Sequence, residues 1–247
     1  MASTVANDGN LAKAAHENHA MGWVRGFVTS SIGAKYVMAV SGIALVGFVL
    51  AHMVGNLQVF LGWEKLNAYA AFLKSLGSLL WVARIGLIVA VLAHIASGLR
   101  LAILNKQARP VAYRKQTSMH TNVFARTMAV SGLILLAFVV YHLLHFTLGV
   151  TNPADYSLED PLGRHDVYSM VVRGFQNPLV SAAYIVSMAL VGMHLSHGAT
   201  SMFQSLGLNH PKYNGLFSKV GPAVGVLVFL GNVSMPVAVL LGFIQPR

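Results

Sequence analysis

The chain has 247 residues, of which 55% are hydrophobic and only 10% are charged. A soluble domain usually carries about 25% charged residues, so this composition excludes an ordinary water-soluble enzyme. The absence of cysteine excludes disulfide scaffolds, thiolate zinc sites and cysteine-ligated iron–sulfur clusters, and seven acidic residues are too few for carboxylate-rich metal cages. Eleven histidines in so apolar a chain need an explanation.

Residues 1–30 are mixed and polar, and no short apolar core with a small-residue cleavage site precedes the first long apolar stretch. A cleaved signal peptide is therefore not expected. We predict a polar, cytoplasmic N-terminal segment over 1–30 and a transmembrane domain over 31–247.

Five stretches almost free of charge follow in chain order, at about 33–61, 79–104, 124–150, 179–206 and 217–243. Each is long enough for a helix to cross about 30 Å of hydrocarbon, which takes about 20 apolar residues. The sequence therefore predicts an all-α membrane protein with five transmembrane helices.

The connecting loops differ in charge, and this difference predicts the orientation. The acidic loop follows span three, whereas the basic loops follow spans two and four and contain Lys106, Arg109, Arg114, Lys115 and Lys212. Basic loops stay on the cytoplasmic side, so we expect the N-terminus inside. The net charge of +10 then does not indicate nucleic-acid binding, because anionic lipid or a docked protein partner would neutralise it.

An internal repeat relates the first four spans. The segment 39–42, Ala-Val-Ser-Gly, recurs at 129–132. The other matched positions are His52 with His142 at the same offset, and His94 and Gly98 with His194 and Gly198. These matches predict two helical hairpins in parallel orientation, related by a pseudo-two-fold axis along the membrane normal.

Four of the histidines fall into two predicted depth layers, given a helical rise of about 1.5 Å per residue. His52 and His142 share an outer layer, and His94 and His194 share an inner layer. An imidazole inside a membrane is costly without a partner, so each is a functional candidate. Two facing imidazoles in each layer suit a haem iron without an open position, which transfers electrons.

Small residues of the repeat are candidate haem contacts, because they let a flat porphyrin approach the helix backbone. They are Ser41, Gly42, Gly98, Ser131, Gly132 and Gly198. The alternative reading is helix–helix packing, for which small residues are equally suited.

The remaining histidines have other expected roles. His145 and His197 each follow a predicted ligand by three residues, and we expect them to hydrogen-bond a propionate, a quinone or a neighbouring helix. The others are expected to be solvated in loops or tails: His16, His19, His120, His165 and His210.

The ordered motifs Phe48-Val-Leu-Ala-His52-Met-Val-Gly-Asn56, His94-x-x-x-Gly98, Phe138-Val-Val-Tyr-His142 and His194-Leu-Ser-His-Gly198 resemble a known family. The family is the cytochrome b membrane subunit of succinate:quinone oxidoreductases. The nearest form is the five-helix, dihaem, single-subunit anchor of succinate dehydrogenases and fumarate reductases, and the resemblance covers about residues 30–245.

The resemblance implies a bacterial inner-membrane subunit of complex II, which anchors a flavoprotein carrying FAD and an iron–sulfur subunit on the inner face. It implies two b haems, the proximal one on His94 and His194 and the distal one on His52 and His142. Electrons would pass between the iron–sulfur subunit and a membrane quinone, menaquinone or ubiquinone. Dicarboxylate chemistry would belong to a partner subunit.

Two charged residues gain expected roles from the same resemblance. Glu64, in a segment similar to the family's connection between the first two helices, would transfer protons for the quinone; the alternative is a solvated carboxylate beside Lys65. Arg84 would pair with a distal haem propionate, or extend to the membrane interface.

Two other functions stay open at this point. One is a dihaem cytochrome b that serves a formate, hydrogen or nitrate oxidoreductase. The other is a transporter that uses its histidines as a proton relay.

Overall fold

The computed structural model describes residues 22, 26–27, 30–108 and 123–247, with the backbone alone for 123–126. Most of the predicted N-terminal segment and of the basic loop after span two therefore lies outside the described residues. The predicted residues that fall there are His16, His19, Arg109, Arg114, Lys115 and His120.

The described chain is helical apart from its turns and one isolated bridge between Glu159 and His165. Five helices are long and apolar enough to cross a membrane, as expected of a multi-pass membrane protein. The long helices are α1 (Ser31–Asn56), α3 (Ser78–Gln107), α4 (Val123–His142), α7 (Pro178–Ser205) and α8 (Pro211–Leu240). The short helices between them are α2 (Trp63–Ser75), α5 (Pro153–Tyr156) and α6 (Val167–Gln176).

Local capping explains where the long helices begin. Ser30 accepts a hydrogen bond from the Gly33 amide at 2.9 Å, which caps the N-terminus of α1. Helix α8 begins at Pro211, earlier than the predicted 217, and the His210 ring accepts from the Lys212 amide at 3.2 Å. Proline suits the first helical turn because the amide it lacks would be unpaired there. A span predicted from apolar residues alone begins after Lys212, whereas the helix itself can include this charged residue.

The two halves of the repeat leave their first long helix in different ways. Helix α1 continues into a 3-10 turn at Leu57–Leu61, and α4 continues into a π-helical turn at Leu143–Thr147. The connection after the first turn, expected as a loop, contains α2, and the acidic loop contains α5 and α6.

The best-buried core lies at one end of the long helices. Helix α2 packs on α6 and on the 3-10 turn, and α6 also packs on α8. The fully buried side chains here include Val59 and Val172, which pack with Leu66, Phe175 and Tyr184. We call α2 together with residues 151–176 the cap.

The long helices leave apolar side chains exposed over much of their length, among them Val89 and Leu92 on α3. Large exposed apolar surface marks contact with a membrane or a partner. Helix α1 packs on α3 and α7, and α4 packs on α7, whereas the diagonal pairs α1 with α4 and α3 with α7 stand farther apart.

The closest helix pair is α7 with α8, and glycines make it close. A Cβ atom at Gly192 would lie 2.9 Å from the Gly225 carbonyl oxygen, and one at Gly221 would collide with the Ser196 carbonyl. Small residues allow such backbone approach between membrane helices. Helix α8 contains both Pro222 and Pro236 and continues through them.

Candidate cofactor site: two histidine pairs between the long helices

The first pair joins His94 on α3 to His194 on α7. Their ring centroids lie 6.4 Å apart with an angle of 62° between the ring planes. Both rings are half-buried. Ser41 on α1 lies with its Oγ 3.4 Å from Nδ1 of His94, and Ser131 on α4 lies 3.3 Å from Nδ1 of His194. The pairing predicted from depth is therefore present, with two matching serines beside it.

The serines decide which nitrogen of each imidazole carries the proton. Ser41 donates its hydroxyl proton to the Val37 carbonyl at 2.6 Å, and Ser131 donates to the Met128 carbonyl at 3.1 Å. When each hydroxyl proton goes to its carbonyl, the Oγ is an acceptor for the histidine. The imidazole proton then lies on Nδ1, and Nε2 keeps a free lone pair. Metal-binding histidines usually donate their other N–H to such a partner.

His94 has a second acceptor, for which His194 has no counterpart within the described residues. The Met38 carbonyl oxygen lies 3.2 Å from Nδ1 of His94. A carbonyl can only accept, so this contact independently places the proton of His94 on Nδ1.

The second pair joins His52 near the end of α1 to His142 at the end of α4. Their ring centroids lie 5.8 Å apart, and the rings are nearly perpendicular at 88°. His52 stacks on Phe48 at 5.3 Å, and His142 lies 6.0 Å from Phe138, so each ring meets the phenylalanine one turn before it. His52 is exposed to solvent or lipid, whereas His142 is half-buried.

A tyrosine on α7 links His142 to His145. The Tyr184 hydroxyl lies 3.4 Å from Nδ1 of His142 and 3.0 Å from Nδ1 of His145, which is 3% exposed. The expectation that His145 hydrogen-bonds a neighbouring helix is confirmed. His197 is half-buried, and its role stays a prediction.

The spacing of both pairs matches what a shared ion requires. An imidazole nitrogen binds a transition metal at about 2 Å, and the ring centroid lies about 1 Å beyond, so two opposed imidazoles have centroids about 6 Å apart. Within the described residues no group of three or more histidines and carboxylates is placed to hold a metal ion. Two ligands for each ion suit a cofactor such as haem, which supplies the other ligands itself.

The glycines of the repeat lie beside the first pair or face open space. A Cβ atom at Gly42 would lie 3.4 Å from Cε1 of His94, and one at Gly132 would lie 3.7 Å from Cε1 of His194. At Gly98 and Gly198 an added Cβ atom would meet nothing within 4 Å. The first two glycines therefore lie beside the His94 and His194 rings, and the last two leave open space next to the helix backbone.

The two charged residues with expected roles lie elsewhere. Glu64 is exposed in the first turn of α2, and Arg84 is exposed, with its guanidinium 5.1 Å from the Trp81 ring centroid. In the described part of the chain neither forms a hydrogen bond or an ion pair with the four histidines. Their roles toward quinone and propionate stay predictions.

The histidines expected in solvent differ from one another. His210 is exposed, as predicted. His165 is half-buried in the cap, with its ring 4.9 Å from that of Tyr156, so the prediction of a solvated side chain is wrong. The fold of the acidic segment encloses it.

A buried polar cluster in the cap was not predicted. Asn67 on α2 is fully buried; its amide donates to Asp166 at 2.9 Å and to Asp160 at 3.3 Å, and its oxygen accepts from the Tyr168 backbone at 2.9 Å. Arg164 forms an ion pair with Asp160 at 2.7 Å. The acidic residues that indicated orientation thus also hold the cap together.

The cap carboxylates are held in their charged form. Burial alone would raise the pKa of Asp160, but hydrogen bonds from Arg164, the Leu162 amide and Asn67 lower it to about 2. The pKa of Asp166 is also lowered: burial opposes the charge, and hydrogen bonds from Asn67 and the Ser169 amide outweigh it. Both carboxylates are therefore structural acceptors at neutral pH.

No family model, curated protein or solved structure matches this chain.

Proposed function

We propose that this chain is the cytochrome b membrane anchor of a succinate dehydrogenase or fumarate reductase. It would bind two b haems, one between His94 and His194 and one between His52 and His142. The motif resemblance supports this family, and the geometry of the two histidine pairs supports haem as the cofactor.

The observation that carries the proposal is the first pair. Two imidazoles from different helices have ring centroids 6.4 Å apart, and Nδ1 of each lies 3.3–3.4 Å from a serine hydroxyl that can accept its proton. The free Nε2 atoms are thereby available to iron. A proton relay would not need matching tautomers on both rings, so this feature favours a ligand role over a transporter.

The residues of the chain have distinct tasks in this proposal. Bound haem with two histidine ligands supplies a one-electron carrier that has no open iron position. Ser41 and Ser131 orient the inner ligands, and the glycines beside them let the ring approach the helices. The two layers lie about 16 Å apart, because 11 residues separate Ser41 from His52 and Ser131 from His142.

Orientation, partners and location belong to the same proposal. With the N-terminus in the cytoplasm, the His94–His194 pair is the inner one and lies toward the basic loops. An iron–sulfur subunit and a flavoprotein with FAD would dock on that face of a bacterial inner membrane. Menaquinone or ubiquinone would react near the outer pair, where Glu64 would transfer protons.

Haem content tests the cofactor assignment. The protein purified in detergent should contain about two haems per chain and show b-type bands in its reduced-minus-oxidised spectrum. Replacing His194 by alanine should abolish one haem and keep the other. His197→Ala, one turn away, is the matched control and should keep both. Folded protein without haem would refute the proposal.

Copurification tests the partner assignment. The untagged partners of the membrane complex should include a flavoprotein and an iron–sulfur subunit with succinate dehydrogenase or fumarate reductase activity. A molybdenum- or nickel-containing partner would instead indicate a formate, nitrate or hydrogen oxidoreductase. A haem-free protein without partners would indicate the transporter.

A further inference from the structure

Tyr184 occupies the centre of a buried aromatic cluster beside the second histidine pair. It is 5% exposed, and its ring lies within about 6 Å of Phe138, Phe175 and Tyr141. Its hydroxyl is the one polar group of the ring, and it lies between the Nδ1 atoms of His142 and His145. Packing on all sides therefore fixes where this hydroxyl points.

The direction of the hydrogen bonds follows from ligation. If Nε2 of His142 binds iron, its Nδ1 carries a proton and must donate to the Tyr184 oxygen. The single hydroxyl proton of Tyr184 then goes to Nδ1 of His145, which must be an acceptor. The result is one chain, from His142 through Tyr184 to His145, with every donor matched to an acceptor.

We propose that Tyr184, held by His145, is a positioning residue that sets the reduction potential of the outer haem through His142. This inference rests on the proposed function, because it requires haem on the second pair. An acceptor on the Nδ1–H of a ligand raises the basicity of the imidazole. A more basic ligand stabilises the oxidised iron, so the Tyr184 hydroxyl should lower the potential of that haem.

The position of His145 is also fixed from its other side. A Cβ atom at Gly174 on α6 would lie 3.1 Å from Cε1 and 3.2 Å from Nε2 of His145. The ring stacks on Phe146 with centroids 3.9 Å apart. The cap thus holds His145 against Tyr184, and the internal repeat offers no histidine at the equivalent position, Gly55.

The test is a redox titration of both haems in Tyr184→Phe. We expect the outer haem to be reduced at a higher potential, by about a fivefold change in its reduction equilibrium, where tenfold is about 59 mV for one electron. The inner haem should not move. Tyr141→Phe is the matched control: its ring stacks on His145 at 5.5 Å, and within the described residues its hydroxyl forms no hydrogen bond to a histidine.

A second pair of variants covers the case in which Tyr184→Phe loses the outer haem. His145→Gln keeps an acceptor for the tyrosine proton and should retain the wild-type potential, whereas His145→Leu should shift it upward. Unchanged potentials in Tyr184→Phe and in His145→Leu, or an equal shift of both haems, would overturn the inference. A wild-type protein without haem would instead refute the proposed function.

Discussion

The two halves of the internal repeat agree closely at one level and differ at another. Around the first pair, His94 and His194, each half places a serine hydroxyl 3.3–3.4 Å from a histidine Nδ1 and a glycine against the same ring. At the second pair, His52 and His142, this agreement ends. His142 has a hydrogen-bonding partner, Tyr184, whereas His52 has ring contacts with Phe48 and His142.

The divergence can be traced to two positions of the repeat. The first half has Gly55 where the second has His145, and Arg84 where the second has Tyr184. A Cβ atom at Gly55 would lie 2.7 Å from the Tyr69 ring, so an aromatic ring of α2 lies against this backbone. The first half therefore covers the position with the Tyr69 side chain, and the second fills it with the hydrogen-bonded pair of His145 and Tyr184.

The halves also differ in what packs on their second long helix. Gly192 on α7 lies against Gly225 of α8, whereas its counterpart on α3 is Leu92, which is 61% exposed. Helix α8 has no partner in the repeat. The comparison teaches that the features common to both halves surround His94 and His194. The packing and the hydrogen bonds around His52 and His142 differ between the halves.

The largest expected effect comes from making the second half resemble the first at the helix interface. Gly192→Leu should destabilise the protein by about 4 kcal/mol, because the Gly225 carbonyl cannot move away as a side chain would. Thermal unfolding in detergent measures this change. Leu92→Ala is the matched control and should change stability by less than about 0.5 kcal/mol. An unchanged midpoint for Gly192→Leu would contradict the close approach of α7 and α8.

The next effect concerns the cap, in which α2 of the first half packs on the acidic segment of the second half. Asn67→Leu should cost about 3 kcal/mol, because it leaves the Tyr168 amide unpaired and removes a donor from two buried carboxylates. Hydrogen exchange should rise in α2 and α6 and stay constant in α3. Asn209→Leu, at an exposed asparagine, serves as the control. Equal protection in both variants would show that the cap does not depend on Asn67.

A third prediction uses the pH dependence of the same cap. The pKa of Asp160 falls from 3.8 to about 2 on folding, so its contribution is fully present above about pH 4 and is lost as the pH falls through about 2. The contribution is about 2 kcal/mol. The protection of the α6 amides, measured as the exchange rate relative to the intrinsic rate at each pH, should therefore decrease between pH 4 and pH 2.

The matching variant removes the titrating group. Asp160→Asn should weaken the cap at neutral pH and flatten this pH dependence, whereas Glu159→Gln, at an exposed neighbour, should change neither. A cap that keeps its full pH dependence in Asp160→Asn would assign the effect to another group, such as Asp166.

The sequence was sufficient for the long helices and for the pairing of the four histidines, because both follow from apolar length and helical rise. It could not predict Tyr184 or Asn67. Their roles depend on contacts between residues far apart in the chain, such as Asn67 with Asp166, and neither residue stands out by type or spacing. The acidic segment was also predicted as a loop. Residues 167–176 have an amphipathic pattern that indicates α6, whereas the four-residue α5 is too short to show a helical period.

The smallest expected effect tests a difference between the two histidines of the first pair, namely the contact of His94 with the Met38 carbonyl. Ser131→Ala removes the acceptor of His194, and Ser41→Ala removes one of two acceptors of His94, which keeps the Met38 carbonyl at 3.2 Å. If the proposed haem is bound between His94 and His194, Ser131→Ala should raise its potential by at most about 40 mV, because a neutral hydrogen bond is worth about 1 kcal/mol in all. Ser41→Ala should raise it by less than half of that, because His94 still donates its Nδ1 proton to a carbonyl. Redox titration of the two variants side by side gives both values under one condition. Equal shifts would mean that the Met38 carbonyl does not serve His94, and a shift in the outer haem alone would contradict the assignment of these serines to the inner pair.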